Sequence, residues 1–530
     1  MTVAVEMSNV SFSYPDAEAP ALRDVSLEIE SGSLLLVAGP TGSGKSTLLR
    51  AMNGLVPHFS GGSFAGRVCT EGRDTVEHPP RYLADVVAFV PQEVQAAFVL
   101  DRVEDEVAYA MENLAIEPRV MRRRVEEVLD IVGIEPLRSR RVDSLSGGEL
   151  QRVAIAAALA PGAHILLLDE PTSQLDPQGA EDVLNVLQRL VHDLGYTVVL
   201  AEHRLDRVAT YADNALGCLD GSVTAGAVPD ILDLLQAGPP VTRLGRLLGW
   251  KPPPLTVRDA RAAASTLHLP EPASVPAASS VPSGDSGADA VLVCTDLGAE
   301  YEGVVALRDV SLSFGAGEVV SLVGRNGAGK STLLRCLAGL HVPSAGQVRW
   351  LGRQPRTGRD VALCPQSPET LLFSPTVREE VAVTMRSSGS PRAVDDYLDE
   401  LGLTELSQRH PRDVSAGQRL LVAVAAVAAT EAPIILLDEP TRGLDPESKS
   451  MLAAIFETWS RHGRVVILAT HDVELAAELA HRVVMLSGGE VIADGEPGDV
   501  LADSSVFSPQ MTRVFGRGWL TPEQVAAAVG

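Results

Sequence analysis

Lysine is scarce in this chain. Of 530 residues only Lys45, Lys251, Lys330 and Lys449 carry an ε-ammonium, and arginine supplies the other positive charges. Cations total 44 against 69 carboxylates, a net charge of −25. Nucleic-acid binding rests on neutralising phosphates, so this balance argues against DNA or RNA as the main partner. Cysteine is sparse too. Cys69, Cys218, Cys294, Cys336 and Cys364 are odd in number and lack CxxC spacing, which argues against a disulfide framework or zinc site and fits a reducing compartment. Long apolar runs are missing. Segment 153–168 is interrupted by Pro161, Gly162 and His164, and 420–430 is too short to cross a bilayer, so no membrane span is expected. A strand pattern begins at Val3, and no signal peptide is expected.

What is present is repetition. The chain is too long for one core, and 45% apolar residues suffice for two. The same features recur in the same order. GPTGSGKST at 39–47 answers GRNGAGKST at 324–332; Gln92 after VP answers Gln366 after CP; LSGGELQR at 145–152 answers VSAGQRLL at 414–421. ILLLDEP at 165–171 answers IILLDEP at 434–440, and His203 answers His471. The repeat continues past the last motif: VTRLGRLLGW at 241–250 resembles MTRVFGRGW at 511–519, each followed by a helix that Thr256 or Thr521 would N-cap. A Pro/Ala/Ser-rich stretch, 264–290, reads as a flexible linker between domains at 1–263 and 291–530. Apolar β-rich runs alternating with helical patterns predict an α/β fold: two tandem domains, each with a mostly parallel sheet, a helical subdomain and a short C-terminal extension.

The motifs carry phosphate chemistry. Gly39-x4-Gly44-Lys45-Ser46 follows an apolar strand and opens a helix, the context expected of a phosphate-binding loop, with Gly42 and Thr47 in the same run. Backbone N–H groups and the helix N-terminus would surround a β-phosphate. Lys45 would bridge β- and γ-phosphates, and Ser46 would ligand Mg²⁺. Gly324, Gly327, Gly329, Lys330, Ser331 and Thr332 repeat the arrangement. Asp169 and Asp438 end buried-strand patterns, where α/β sheets bind ligands, and would hold Mg²⁺ through its waters. Glu170 and Glu439 would polarise the attacking water. Alone, LLLDE reads equally as a strand before a solvated acidic turn; beside the two loops that reading loses.

With LSGGE placed before LLLDEP, the chain resembles the ATPases of ABC transporters over almost its whole length outside the linker. The resemblance implies the remaining roles. Tyr14 and Tyr301 match the aromatics that stack on adenine. Gln92 and Gln366 match glutamines that contact Mg²⁺ or water and sense the membrane subunit. Asp176 and Asp445 match the family's D-loop aspartates, and His203 and His471 match the switch histidines that contact the γ-phosphate. In the family ATP is sandwiched between two such domains. The nucleotide on Lys45 would be closed by Ser415, Ala416, Gly417 and Gln418, and that on Lys330 by Ser146, Gly147, Gly148 and Glu149. A Ser-Gly-Gly run opening a helix presents N–H donors and a hydroxyl to phosphate.

Ala416 departs from the pattern, standing where the family has a glycine. A β-carbon there is expected to restrict φ and slow the site on Lys45; the alternative is accommodation at a cost of ~1 kcal/mol. After Gln366 the run FSPTV at 373–377 resembles energy-coupling-factor transporters and their cobalt and nickel relatives; the first copy keeps Phe98. This implies an importer engine, peripheral on the cytoplasmic side of the membrane, bound to a transmembrane scaffold and a substrate-binding membrane protein. Glu104, Asp105, Glu106, Glu379 and Glu380 become candidate docking residues. Thr376-x-x-Glu379 and Asp101-x-x-Glu104 also read as helix caps that need no partner. A sugar importer, an exporter engine and a soluble ribosome-associated ABC factor are the alternatives. The last predicts a charged helical linker and a basic surface, whereas this chain offers a Pro/Ala/Ser linker and strong acidity.

Overall fold

Five-residue apolar runs, too short for helices and flanked by glycine or acidic turns, form strands buried on both faces. The structure is a computed structural model and describes residues 2–15, 17, 19–173, 175–203, 205–270, 290–301, 303–414, 416–441, 444, 446–502, 504 and 506–529. Two compact units divide at Thr256/Val257.

The strands of the first unit are β1 (Val3–Ser13), β2 (Leu22–Glu30), β3 (Leu34–Ala38), β4 (Ser63–Thr70), β5 (Arg73–Asp74), β6 (Val87–Val90), β7 (Ile165–Asp169), β8 (Thr197–Ala201), β9 (Asn214–Leu219) and β10 (Ser222–Gly226). The core sheet runs β10-β9-β3-β8-β7-β6, parallel except for the β9–β10 hairpin. An antiparallel sheet, β2-β1-β4-β5, accompanies it. The second unit has β11 (Ala290–Tyr301), β12 (Val304–Gly315), β13 (Val319–Val323), β14 (Ala345–Trp350), β15 (Val361–Cys364), β16 (Ile434–Asp438), β17 (Val465–Ala469), β18 (Arg482–Ser487) and β19 (Glu490–Gly495). Its core order, β15-β16-β17-β13-β18-β19, is that of the first unit element for element. The predicted fold class holds in both.

That order positions the motifs. The phosphate-loop candidates follow β3 and β13, the histidines follow β8 and β17, and the Asp-Glu pairs end β7 and β16. Since β8 lies between β3 and β7, and β17 between β13 and β16, the three motifs meet at the carboxyl ends of adjacent strands. Among the described residues no helix is long and apolar enough to cross a membrane. The run 153–168 splits into the end of helix Gly147–Leu159 and β7, and 420–430 lies largely in helix Ala416–Ala428.

The repeat extends into the C-terminal extensions. Buried Thr242 donates its hydroxyl to Pro254 O and buried Thr512 to Trp519 O, both at 2.6 Å. Thr521 Oγ1 accepts the Gln524 amide at 3.3 Å, as an N-cap should. The helix Val257–Ala263 groups with the second unit, because Arg261 Nε donates to Arg513 O at 2.9 Å. The compact division therefore falls before the expected boundary at 263. Most of the expected linker, 271–289, lies outside the described residues.

Candidate active site

Lys45 and Lys330 are the first residues of their helices, and both are buried. Lys45 Nζ donates to Gly39 O and Pro40 O, each at 2.9 Å; Lys330 Nζ donates to Gly324 O at 2.7 Å and Arg325 O at 3.2 Å. The preceding residues must be glycine. Gly44 (φ 102°) and Gly329 (φ 101°) are left-handed, and a Cβ there would lie 2.4 Å from Ala21 O or 2.7 Å from Ala306 O. A Cβ on Gly42 or Gly327 would meet nothing within 4 Å, so these two answer only to their positive φ.

Ser46 Oγ donates to Asp169 Oδ1 and Ser331 Oγ to Asp438 Oδ1, both at 3.0 Å. Burial pushes the Asp169 and Asp438 pKa values up, the serine hydroxyls oppose it, and the adjacent Glu170 or Glu439 charge adds to the rise. Each pair offers two hard oxygens, the donor set for a Mg²⁺ that keeps substrate phosphates and waters as its other ligands. Among the described residues no group of three or more His, Cys, Asp or Glu could hold a metal.

His203 Nδ1 lies 3.1 Å from Glu170 Oε2, and His471 Nδ1 lies 2.8 Å from Glu439 Oε2. Burial works to raise the Glu170 pKa, but contact with His203 and the Lys45 charge outweigh it and hold the carboxyl below its usual range. Glu170 is thus an ionised acceptor at neutral pH. Both glutamates are left-handed, with φ 50° at Glu170 and φ 53° at Glu439. No motif announced this conformation, which is uncommon outside glycine and carries a backbone cost.

Around these clusters the units diverge. Both loop glutamines are exposed, and in the first unit Gln92 Nε2 donates to Glu170 Oε2 at 2.7 Å. Tyr14 OH lies 3.1 Å from Thr47 Oγ1, its ring edge-on to Phe12. Tyr301 stacks on His341 with centroids 4.4 Å apart. Thr332 is half-buried on the helix opened by Lys330.

The signature candidate Ser146 caps helix Gly147–Leu159 in a full capping box with Glu149. Burial tends to raise the Glu149 pKa, but the Ser146 amide and hydroxyl, with Arg140, hold it low. Gly147 begins the helix, is absent from the positive-φ glycines and lies one position before Gly148; helix Ala416–Ala428 likewise begins at Ala416. Helical φ suits alanine, so the expected restriction of φ at Ala416 is corrected. Gly417 and Gln418 follow in that helix, while Ser415 and Asp445 lie outside the described residues. Asp176 accepts from Gly179 N at 2.9 Å, capping helix Pro177–His192.

Two docking expectations are overturned. Glu106 and Glu380 are buried: Glu106 Oε2 accepts from Val99 N (3.0 Å) and Leu100 N (2.7 Å), and Glu380 Oε2 from Phe373 N and Ser374 N (both 2.7 Å). These acids hold loops. The paired bonds also make Val99, not Phe98, the repeat counterpart of Phe373, and Phe98 that of buried Leu372. Glu104, Asp105 and Glu379 remain exposed. Thr376 caps its helix by accepting from Glu379 N, but Asp101 does not cap; it pairs with Arg141 at 3.4 Å.

Residues 22–173 and 307–442 match the ABC transporter family. A Streptomyces coelicolor protein, named provisionally as an ABC transporter ATP-binding protein, is 47% identical over 99% of this chain and 100% of its own length. This chain belongs to the ABC transporter ATP-binding family. A Methanosarcina mazei protein named in the same way is 35% identical to this ABC ATPase, covering 94% of it and 89% of the relative. Among solved structures, a model of ribosome-bound archaeal Pelota and ABCE1 aligns with a TM-score of 0.64 at 23% identity, covering 92% of this chain and 79% of that one, a likeness of fold alone. As an ABC ATPase the protein hydrolyses ATP.

Proposed function

We propose that this chain is the ATP-hydrolysing subunit of an uptake transporter of energy-coupling-factor type. It would sit peripherally on the cytoplasmic face of a transmembrane scaffold and a substrate-binding membrane protein. The observation that carries the enzymatic part is the complete cluster in both units: Lys45, Ser46, Asp169, Glu170 and His203 in one, and Lys330, Ser331, Asp438, Glu439 and His471 in the other.

In this reading Lys45 and Lys330 bridge the β- and γ-phosphates, and Glu170 and Glu439 take the proton of the attacking water. His203 and His471, beside those carboxylates, orient them and reach the γ-phosphate. Ser46 with Asp169, and Ser331 with Asp438, would hold Mg²⁺, which would neutralise charge on the phosphates. As the family resemblance implies, Ser415, Ala416, Gly417 and Gln418 would close on the nucleotide held by Lys45, and Ser146, Gly147, Gly148 and Glu149 on that held by Lys330. Loss of the γ-phosphate then loosens the clamp.

The importer assignment draws support from the FSPTV run. Phe373 is 82% exposed on a loop anchored by buried Glu380, as a docking side chain should be. In the first unit a groove of about 550 Å³ is lined by Glu104, Asp105, Glu112 and Glu126 against one cation, Arg122, with apolar Leu100 and Met121, a net acidic lining that suits an arginine-bearing amphipathic helix. The test is co-purification of the tagged chain from native membranes. Recovery with a helical scaffold and a small membrane protein supports the reading; recovery with ribosomes, or without membrane partners, overturns it and leaves the ATPase chemistry in place.

A further inference from the structure

Among the described residues, one buried side chain after the central strand differs in kind between the two hydrolysis clusters. After β8 the first unit has Glu202, fully buried; after β17 the second has Thr470, equally buried. Glu202 Oε1 accepts from Thr172 N at 2.8 Å and Thr172 Oγ1 at 2.6 Å, while Oε2 has no hydrogen-bond partner. Thr172 is fully buried and lies two residues beyond Glu170.

The left-handed Glu170 is therefore tied to β8 on both sides. Its own amide donates to Ala201 O at 2.9 Å, and Thr172 is held by Glu202, the residue after Ala201. Just beyond these ties, Ser173 donates its hydroxyl to Glu170 O at 2.9 Å. In the second unit Glu439 N keeps its bond to Ala469 O at 2.9 Å. The Thr470 hydroxyl instead accepts the Asp472 amide at 2.9 Å, and Asp472 pairs with Lys449 at 2.6 Å.

A carboxyl is costly to bury, and here half of it lacks a partner beside an ionised glutamate. Closing a turn does not require it, since the second unit manages with threonine. We infer that Glu202 is a positioning residue of the first hydrolysis site, fixing the left-handed Glu170 through Thr172, so that the first site depends on a buried carboxyl where the second does not. The inference rests on the reading of Glu170 as the water-activating base.

The experiment is single-turnover ATP hydrolysis by the full chain carrying Glu439→Gln, so that turnover reports the first site. A further Glu170→Gln must abolish it; if it does not, the reading of Glu170 fails, whatever Glu202 does. With that control met, Glu202→Ala and Glu202→Thr should each slow the first site about ten- to a hundredfold, as misplacement of a reacting group does, with ATP affinity unchanged within about twofold. Glu202→Gln keeps the acceptor oxygen and should restore the rate. The same substitutions in a Glu170→Gln chain should leave second-site turnover unchanged. Equal slowing of both sites, loss of ATP affinity in place of turnover, or a Glu202→Gln as slow as Glu202→Ala would overturn the inference. If the alanine and threonine variants do not fold, Thr172→Val removes the hydroxyl donor from the other end. First-site turnover unaffected by that change would also overturn it.

Discussion

The Glu380 carboxylate accepts the Phe373 amide at 2.7 Å, so a buried acid holds up an exposed ring. The two residues should separate cleanly under mutation. Phe373→Ala should leave thermal stability and detergent-solution ATPase unchanged but lower recovery of membrane partners. Glu380→Ala orphans two amides and should cost about 1–3 kcal/mol, read as a lower Tm. Stability lost with Phe373→Ala, or partner recovery unaffected by it, would count against the division of labour.

Both catalytic glutamates should be indispensable and neither should be needed for binding. Glu170→Gln and Glu439→Gln together should lower kcat by about 10²–10⁴, with nucleotide still bound in a fluorescent-analogue titration. Substantial residual turnover would mean that another group activates the water.

Acid stability should depend on Asp360. The Arg356 hydrogen bond and, beyond it, Arg353 and the Arg356 amide outweigh burial and hold this carboxyl well below the usual carboxylate range. A depressed folded pKa gives stabilisation that is complete above the unfolded value of about 3.9 and is lost as pH falls through the folded value. The Tm gap between wild type and Asp360→Asn should therefore be full at neutral pH, begin to shrink as pH falls below about 4, and close only in strong acid. A gap that is constant down to pH 3 would contradict this.

Thiol chemistry offers an independent check on packing. Burial pushes Cys218 up to about 12, and Cys294 and Cys336 up to about 11; Cys364 is buried and Cys69 half-exposed. A chromogenic disulfide should titrate Cys69 slowly in the native chain and all five thiols after denaturation. Fast reaction of Cys218, whose carbonyl crowds Gly39, would mean that the phosphate loop opens.

The repeat, the strand-end motifs and the Ser–Asp pairs were legible because each combines a residue type with a fixed spacing that only one geometry satisfies. Glu106 and Glu380 were not, since an acid in the first turn of a helix looks the same whether it faces water, a partner or a loop amide. Phe98 was set against Phe373 by residue type, whereas backbone bonding aligns Val99 with it. The Ala416 argument assumed a backbone angle that the helix start does not have. Glu202 left one trace, AEH in one repeat against ATH in the other, and only burial gives that difference meaning.

The left-handed backbone at Glu170 and Glu439 sets stability and catalysis against each other at two single codons. Glycine or asparagine relieves the conformational cost, and glutamate supplies the carboxylate. A saturation library sorted on protein abundance should enrich Gly and Asn at 170 and 439, while the same library sorted on ATP turnover should return Glu alone. The distance between the two sequence profiles would measure how much fold stability this engine forgoes for each of its active sites.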